Sequence, residues 1–217
     1  MHHANPLFTT ASQARQRSTV PTGLATPVKC APLIWPTALM LCAGLLLGCA
    51  TTRPSLTYYV LGTQGGPAQS GPIKVYVEKV EVPADLARRN PASMEGNEVQ
   101  HSPRGLWAAP LDETIASAVA ANLSGAEIPA VGFRPTQRPP AHTLDVIIRI
   151  THFEGHQTGD VIMAGTWRIA SASGTTVATN SFSIRRSGWK LGDDARMVAL
   201  LSEAVLKLSL QIARAVR

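Results

Sequence analysis

Apolar positions along this chain fall into one continuous run and several periodic stretches. The run, Leu33 to Leu47, is shorter than the ~20 residues a membrane-spanning helix needs. In Ile73-Lys74-Val75-Tyr76-Val77-Glu78, the residues Ile73, Val75 and Val77 share one face, the alternation of a half-buried strand. Val80 and Val82 shift that parity, which predicts a bulge or a strand end at Pro83. Residues 83–103 carry Pro, Asn, Gly and charge without a period, and are expected to form a long loop with at most a weak strand around Val99. Trp107, read as a core plug, leads into a helix from about Pro110 to Ser124. Asp112 and Glu113 suit its first turn, Gly125 ends it, and Leu111, Ile115, Ala118, Val119 and Asn122 form its buried stripe.

Two clear alternations follow. Leu144, Val146, Ile148 and Ile150 share a face of one strand, and Val161, Met163, Trp167 and Ile169 share a face of the next, joined through Gly155 to Gly159. A third strand, Val177 to Ile184, comes after Ser173-Gly174 and completes an antiparallel meander. The last helix, about Asp193 to Val216, has a core stripe of Met197, Leu201, Ala204, Val205, Leu208, Ile212 and Ala215. Ala199, Leu206 and Leu210 form a second apolar flank, open either to cover by the same domain or to a partner or second subunit. The elements together predict an α+β fold: a two-layer sandwich of a mostly antiparallel sheet of four or five strands with two helices, spanning 73–217 as one domain.

The apolar run ends in Leu46-Leu47-Gly48-Cys49, preceded by Arg15, Arg17 and Lys29 and by no acidic residue. This is similar to the lipobox of a bacterial lipoprotein, in which a small residue permits cleavage and the following Cys thiolate accepts diacylglycerol. The alternative is a transmembrane anchor with an incidental Cys. The working expectation is a signal peptide over 1–48, acylation at Cys49, and a lipidated N-terminus and tether over 49–72 whose one short ordered piece is Tyr58-Tyr59-Val60-Leu61. Ala50 is not Asp, so the lipoprotein resemblance implies the outer membrane. Residues 1–27 exceed what such a signal needs, and translation is expected to start further downstream.

Cleavage also changes the charge. The 217-residue chain carries 20 Lys and Arg against 14 Asp and Glu, a net +6. Removing the leader with its three basic residues leaves 169 residues at +3, with no Lys or Arg run longer than two, so no nucleic-acid partner is expected. Cys30 and Cys42 leave with the leader, and Cys49 is blocked by lipid.

Catalytic signatures such as the Gly-x-Ser-x-Gly elbow, the P-loop, the dinucleotide fingerprint and the His-Glu-x-x-His helix do not occur in the mature sequence. No catalytic residue, cofactor or metal is therefore expected. His152, Glu154 and His156 would point the same way on a strand and could hold a divalent ion; the competing reading makes them solvated residues at a hairpin tip. Trp189, following Arg185-Arg186-Ser187-Gly188, is expected to be exposed for recognition. Arg185, Arg186 and Lys190 form the densest basic spot, and with Leu206 and Leu210 these residues are the candidate partner contacts.

An ordered set of motifs then stands out: the lipobox, Tyr58-Tyr59-Val60-Leu61, Leu106-Trp107-Ala108-Ala109-Pro110-Leu111-Asp112, Ala121-Asn122-Leu123-Ser124, and the Leu144 to Trp167 hairpin. The chain resembles the PqiC (YmbA) family of ABC-transport auxiliary lipoproteins across nearly all of its mature length. The resemblance implies an outer-membrane lipoprotein on the periplasmic face. Such a protein is an accessory or docking subunit for an MCE-domain protein of an intermembrane lipid transport system, without catalytic residues. One departure is the polar stretch Asn90 to Arg104, where family members are more apolar and strand-like. The other classes kept open are an assembly or chaperone lipoprotein for an outer-membrane barrel or lipopolysaccharide machine, and an envelope hydrolase.

Overall fold

The structure is a computed structural model that describes residues 55–66 and 70–217. The signal segment, Cys49 and the first part of the expected tether lie outside the described residues. Nine strands and two helices are present among them: β1 (Thr57–Tyr59), β2 (Val75–Val77), β3 (Ala92–Glu95), β4 (Glu98–His101), β5 (Gly105–Trp107), α1 (Leu111–Gly125), β6 (Ala130–Gly132), β7 (Leu144–His156), β8 (Asp160–Ser171), β9 (Thr176–Ser187) and α2 (Asp194–Val216).

The α+β expectation holds, and the sheet is richer than the alternation suggested. β7, β8 and β9 form the antiparallel meander, paired over almost their whole lengths. The other edge of β7 is shared: β2 runs parallel to its start and β3 parallel to its end, with an isolated bridge between Glu81 and Arg149 in the gap. β6 lies outside β2 and β4 outside β3. Seven strands thus occupy five lanes, which is why a count from long alternating stretches gave four or five. The parity shift at Val80 is the point where β2 leaves the ladder, before Glu81 returns to bond Ile148 and Ile150 through its backbone. Residues 83–103, expected as a long loop with at most a weak strand around Val99, contain the β3–β4 hairpin, whose second strand holds Val99 and which turns at Gly96 with φ 60°. Its polarity suits an edge hairpin with a solvated side.

Both helices lie on one face of the sheet, α1 over β2 and β6, α2 over β7, β8 and β9, and they also pack on each other. The expected stripes are buried except for Ala215, which is half-buried, and more residues join them. α1 buries Ala116, Ala120, Leu123 and Ser124 in addition to its predicted residues, and α2 adds Val198, Leu200, Ser209, Ala213 and Val216. Asp193 caps α2, its side chain accepting from the Arg196 N–H at 3.0 Å. The helix end at Gly125 has a different cause from the one its sequence suggested. The left-handed residue is Glu127, φ 64°, and Ile128 N–H reaches back to the Leu123 carbonyl at 3.0 Å, a Schellman-type closure. Gly125 is the last helical residue, and what requires a glycine there is a passing segment of backbone.

That segment is the expected tether. From Thr57 to Gln64 it lies docked on the domain. β1 pairs in parallel with β5, Leu61 is buried, Gly62 N–H donates to Ser202 Oγ on α2 at 2.9 Å, and Gln64 N–H donates to Asn122 Oδ1 on α1 at 2.8 Å. A side chain at Gly125 would run into the Gln64 carbonyl. The sequence offered no alternation to mark this strap because its hold is made largely by backbone N–H groups.

Candidate functional site: surfaces for partners and membrane

Trp189 is the clearest correction. It is 3% exposed, not displayed for recognition. Its ring lies over Gly155 of β7, where an added Cβ would fall 2.8 Å from the ring and from Met197 Sδ, and its Nε1–H donates to the Asp193 carbonyl at 3.0 Å. The basic neighbours that suggested exposure are held by acidic partners. Arg185 pairs with Asp160 at 3.3 Å, and Arg186 pairs with Glu203 on α2 at 3.4 Å. Since Phe182 and Ile184 face the helices, Arg185 projects from the opposite side of the sheet while Arg186 faces α2. Lys190 is exposed. The predicted patch is therefore divided: Trp189 belongs to the core, Arg185 to the outer sheet face, and Arg186 to the sheet–helix seam.

The second apolar flank of α2 stays partly uncovered. Leu206 is half-buried, Ala199 is exposed, and Leu210 is 44% exposed. Glu203, Leu206 and Leu210 recur at helical spacing on one side, so the Arg186–Glu203 pair borders this apolar strip.

The His152, Glu154 and His156 group is no solvated hairpin tip. β7 continues to His156, and a bulge between Ile150 and His152 reverses the parity, sending Phe153 and Gly155 inward and the three polar residues to the outer face. Glu154 is 2% exposed. One of its oxygens meets His152 Nδ1 at 2.8 Å and His156 Nε2 at 3.4 Å, and the other accepts the Phe153 N–H. Both carboxylate oxygens are occupied, and no group of three His, Cys, Asp or Glu suited to a metal occurs among the described residues. A second polar cluster on the sheet groups Tyr76, Glu78, His142 and Asp145. His142 Nε2 meets Asp145 at 2.9 Å and its ring is tilted on Tyr76 at 5.3 Å. Burial, then the Asp145 charge, raises the Glu78 carboxyl above its ordinary value, against smaller opposing effects from Arg168 and His142.

The strap, expected as a tether with one short ordered piece at Tyr58-Tyr59-Val60-Leu61, also presents an exposed apolar side. Leu56, Tyr58 and Val60, alternate residues on β1 and at its two flanks, are 52%, 59% and 66% exposed. On the other side, Leu61 is buried and Tyr59 half-buried beside the start of α2. Burial, then the charges of Asp194 and Asp193, raises the Tyr59 hydroxyl pKa, partly offset by Arg104. Next to Val60 and Leu61 opens a groove of about 530 Å³ floored by Ala118 and Ala121 of α1 and bounded by Phe133. Apolar residues at both parities, Leu56, Tyr58 and Val60 against Tyr59 and Leu61, were the available signal that both faces of this strand meet something other than water.

Among solved structures, a crystal structure of an uncharacterised protein matches with TM-score 0.62 at 24% identity, covering 75% of this chain and 99% of that one. One from Xanthomonas campestris matches with TM-score 0.58 at 17% identity, covering 72% and 92%. At these identities the likeness concerns the fold. In sequence, the chain is 32% identical over 130 residues to the intermembrane transport lipoprotein PqiC of Escherichia coli (strain K12), 56% of this chain and 67% of that one, and equally to PqiC of Shigella flexneri. The family described as "ABC-type transport auxiliary lipoprotein component" matches residues 59–213, from the strap through the fold to the last turns of α2, and the chain belongs to that family.

Proposed function

We propose that this chain is a lipoprotein acylated at Cys49, seated on the periplasmic face of the outer membrane, and an accessory docking subunit for an MCE-domain protein of an intermembrane lipid transport system. The observation that carries the reading is the family match, which begins at Tyr59 in the strap and runs through both helices and the meander. This family is one of transport auxiliaries, not of enzymes. The tether between Cys49 and the strap is too short to bridge the periplasm at ~3.3 Å per residue, so the partner has to bring the length.

Partner contact is assigned to the α2 flank carrying Leu206 and Leu210, bordered by the Arg186–Glu203 pair. It combines exposed apolar surface with a charged border, the layout of a protein interface. Crosslinking in intact envelopes followed by affinity capture is expected to recover an MCE protein, with recovery reduced several-fold by Leu210→Asp. Repeated failure to recover one would sink the reading. Capture of a barrel protein in its place would select the assembly-lipoprotein alternative, and a self-crosslink through position 210 would assign the flank to a second subunit.

A further inference from the structure

We infer that the exposed side of the strap, formed by Tyr58 of β1 and its flanking residues Leu56 and Val60, is a membrane-contact stripe that seats against the lipid surface to which Cys49 is anchored. The inference rests on acylation of Cys49. Three exposed apolar side chains stand within five residues, whereas the other large exposed apolar residues among those described, Val131, Val177, Leu191 and Leu210, are far apart in the chain.

Their orientation is fixed. Thr57 N–H donates to the Arg104 carbonyl and the Tyr59 carbonyl accepts from Ala108 N–H, so Thr57 and Tyr59 spend their backbone groups on β5, while Tyr58 between them turns its own away. The bonds from Gly62 to Ser202 and from Gln64 to Asn122 lock the downstream end. The stripe is therefore a fixed feature of the domain surface and not part of a free linker.

Chain length names the occupant. Leu56 is the seventh residue after Cys49, which keeps it within about 23 Å of the anchored residue even when the connection is fully extended. Among the described residues, the large exposed apolar side chains outside the stripe, Val131, Val177, Leu191 and Leu210, all stand far from Cys49 in the sequence. Tethering at this range gives the stripe a high effective concentration at the lipid surface. Its chemistry suits the boundary between headgroups and acyl chains, where Tyr is favoured and single apolar side chains lose their contact with water. Arg53 in the connection and the exposed Arg104 beside Thr57 add attraction toward anionic headgroups.

The test uses the full chain produced in a bacterial envelope containing radiolabelled phospholipid, with the photoreactive residue p-benzoylphenylalanine placed at position 58 or, as control, at the equally exposed position 177. In parallel, radiolabelled palmitate is followed into the parent chain and into Cys49→Ala. The expected result is at least about five-fold more phospholipid adduct at 58 than at 177, with palmitate present in the parent and lost in the Cys49 variant. Equal lipid labelling at the two positions, or a dominant adduct from position 58 to a second copy or to another protein, overturns the inference. Absence of palmitate from the parent sinks the anchor itself, whereas palmitate without excess adduct at 58 sinks the stripe alone.

Discussion

Replacing Gly125 by Ala sets two physical effects against each other, and the structure decides between them. Gly125 ends α1 with ordinary helical backbone, so on helix propensity alone Ala should stabilise the chain by up to about 1 kcal/mol, and by less at a terminus. The added Cβ would sit 3.1 Å from the Gln64 carbonyl carbon and closer still to its oxygen, against about 3.5–4.0 Å for an unstrained carbon pair. The strap has to retreat by at least half an ångström, roughly, to relieve the carbon contact, and further to clear the oxygen. The 2.8 Å bond from Gln64 N–H to Asn122 Oδ1 does not survive such a retreat within normal hydrogen-bond limits. Asn122 is 3% exposed, so its oxygen is left without a donor, at a cost of about 1–3 kcal/mol. The expected net effect is a loss of about 1–2 kcal/mol, concentrated in the strap. Native-state hydrogen exchange at Gly62 and Gln64, together with proteolysis between residues 55 and 66, should show the segment opening. Gly125→Ala protein with unchanged protection at Gln64 and higher stability in urea would refute the steric argument, and Asn122→Ala should reproduce the lost protection without any clash.

Other consequences are open to measurement. The folded protein holds the Glu78 proton more tightly than the unfolded chain, so ionising Glu78 opposes folding; the penalty is absent below the ordinary value of 4.5 and complete once pH exceeds the raised value. Glu78→Gln should therefore be more stable than the parent at pH 7, with the difference closing as pH falls through the raised value toward 4.5 in denaturant titrations at several pH values. Gly155→Ala forces a Cβ into the Trp189 ring and Met197, and should cost about 1–3 kcal/mol by overpacking, with a change in tryptophan emission. Trp189→Phe gives up the Nε1 bond to the Asp193 carbonyl, whereas Trp167 Nε1 is buried without a partner. Urea unfolding should thus find Trp189→Phe the more damaging of the two by about 1 kcal/mol.

What the sequence made legible was long and periodic: the three meander strands and both helices, whose stripes are wide enough to survive a residue or two of error. What it concealed depended on partners distant in the chain. The bulge between Ile150 and His152 is invisible in composition, yet it decides that Glu154 faces outward and Gly155 inward. Trp189 looked exposed because four of its neighbours are polar or small, while the niche that receives it is made by Gly155 and Met197. β3 was hidden, and β4 reduced to a weak strand around Val99, by the polarity that an edge hairpin tolerates. Of the candidate contacts, the Leu206 and Leu210 flank was readable because helical spacing fixes its direction, and Trp189 was not, because no local period constrains a single residue in a loop.

The strap also sets an order of events. Gly62 is fastened by Ser202, 140 residues later in the chain, and Gln64 by Asn122, so this early segment can close only after both helices that hold it have formed and settled. Such long-range closure is late by nature. For a chain threaded N-terminus first across a membrane, residues 57–64 would stay extended throughout translocation. On the proposed acylation of Cys49, docking of the strap is then the late step that fixes where the anchored domain sits, and it waits on α1 and α2.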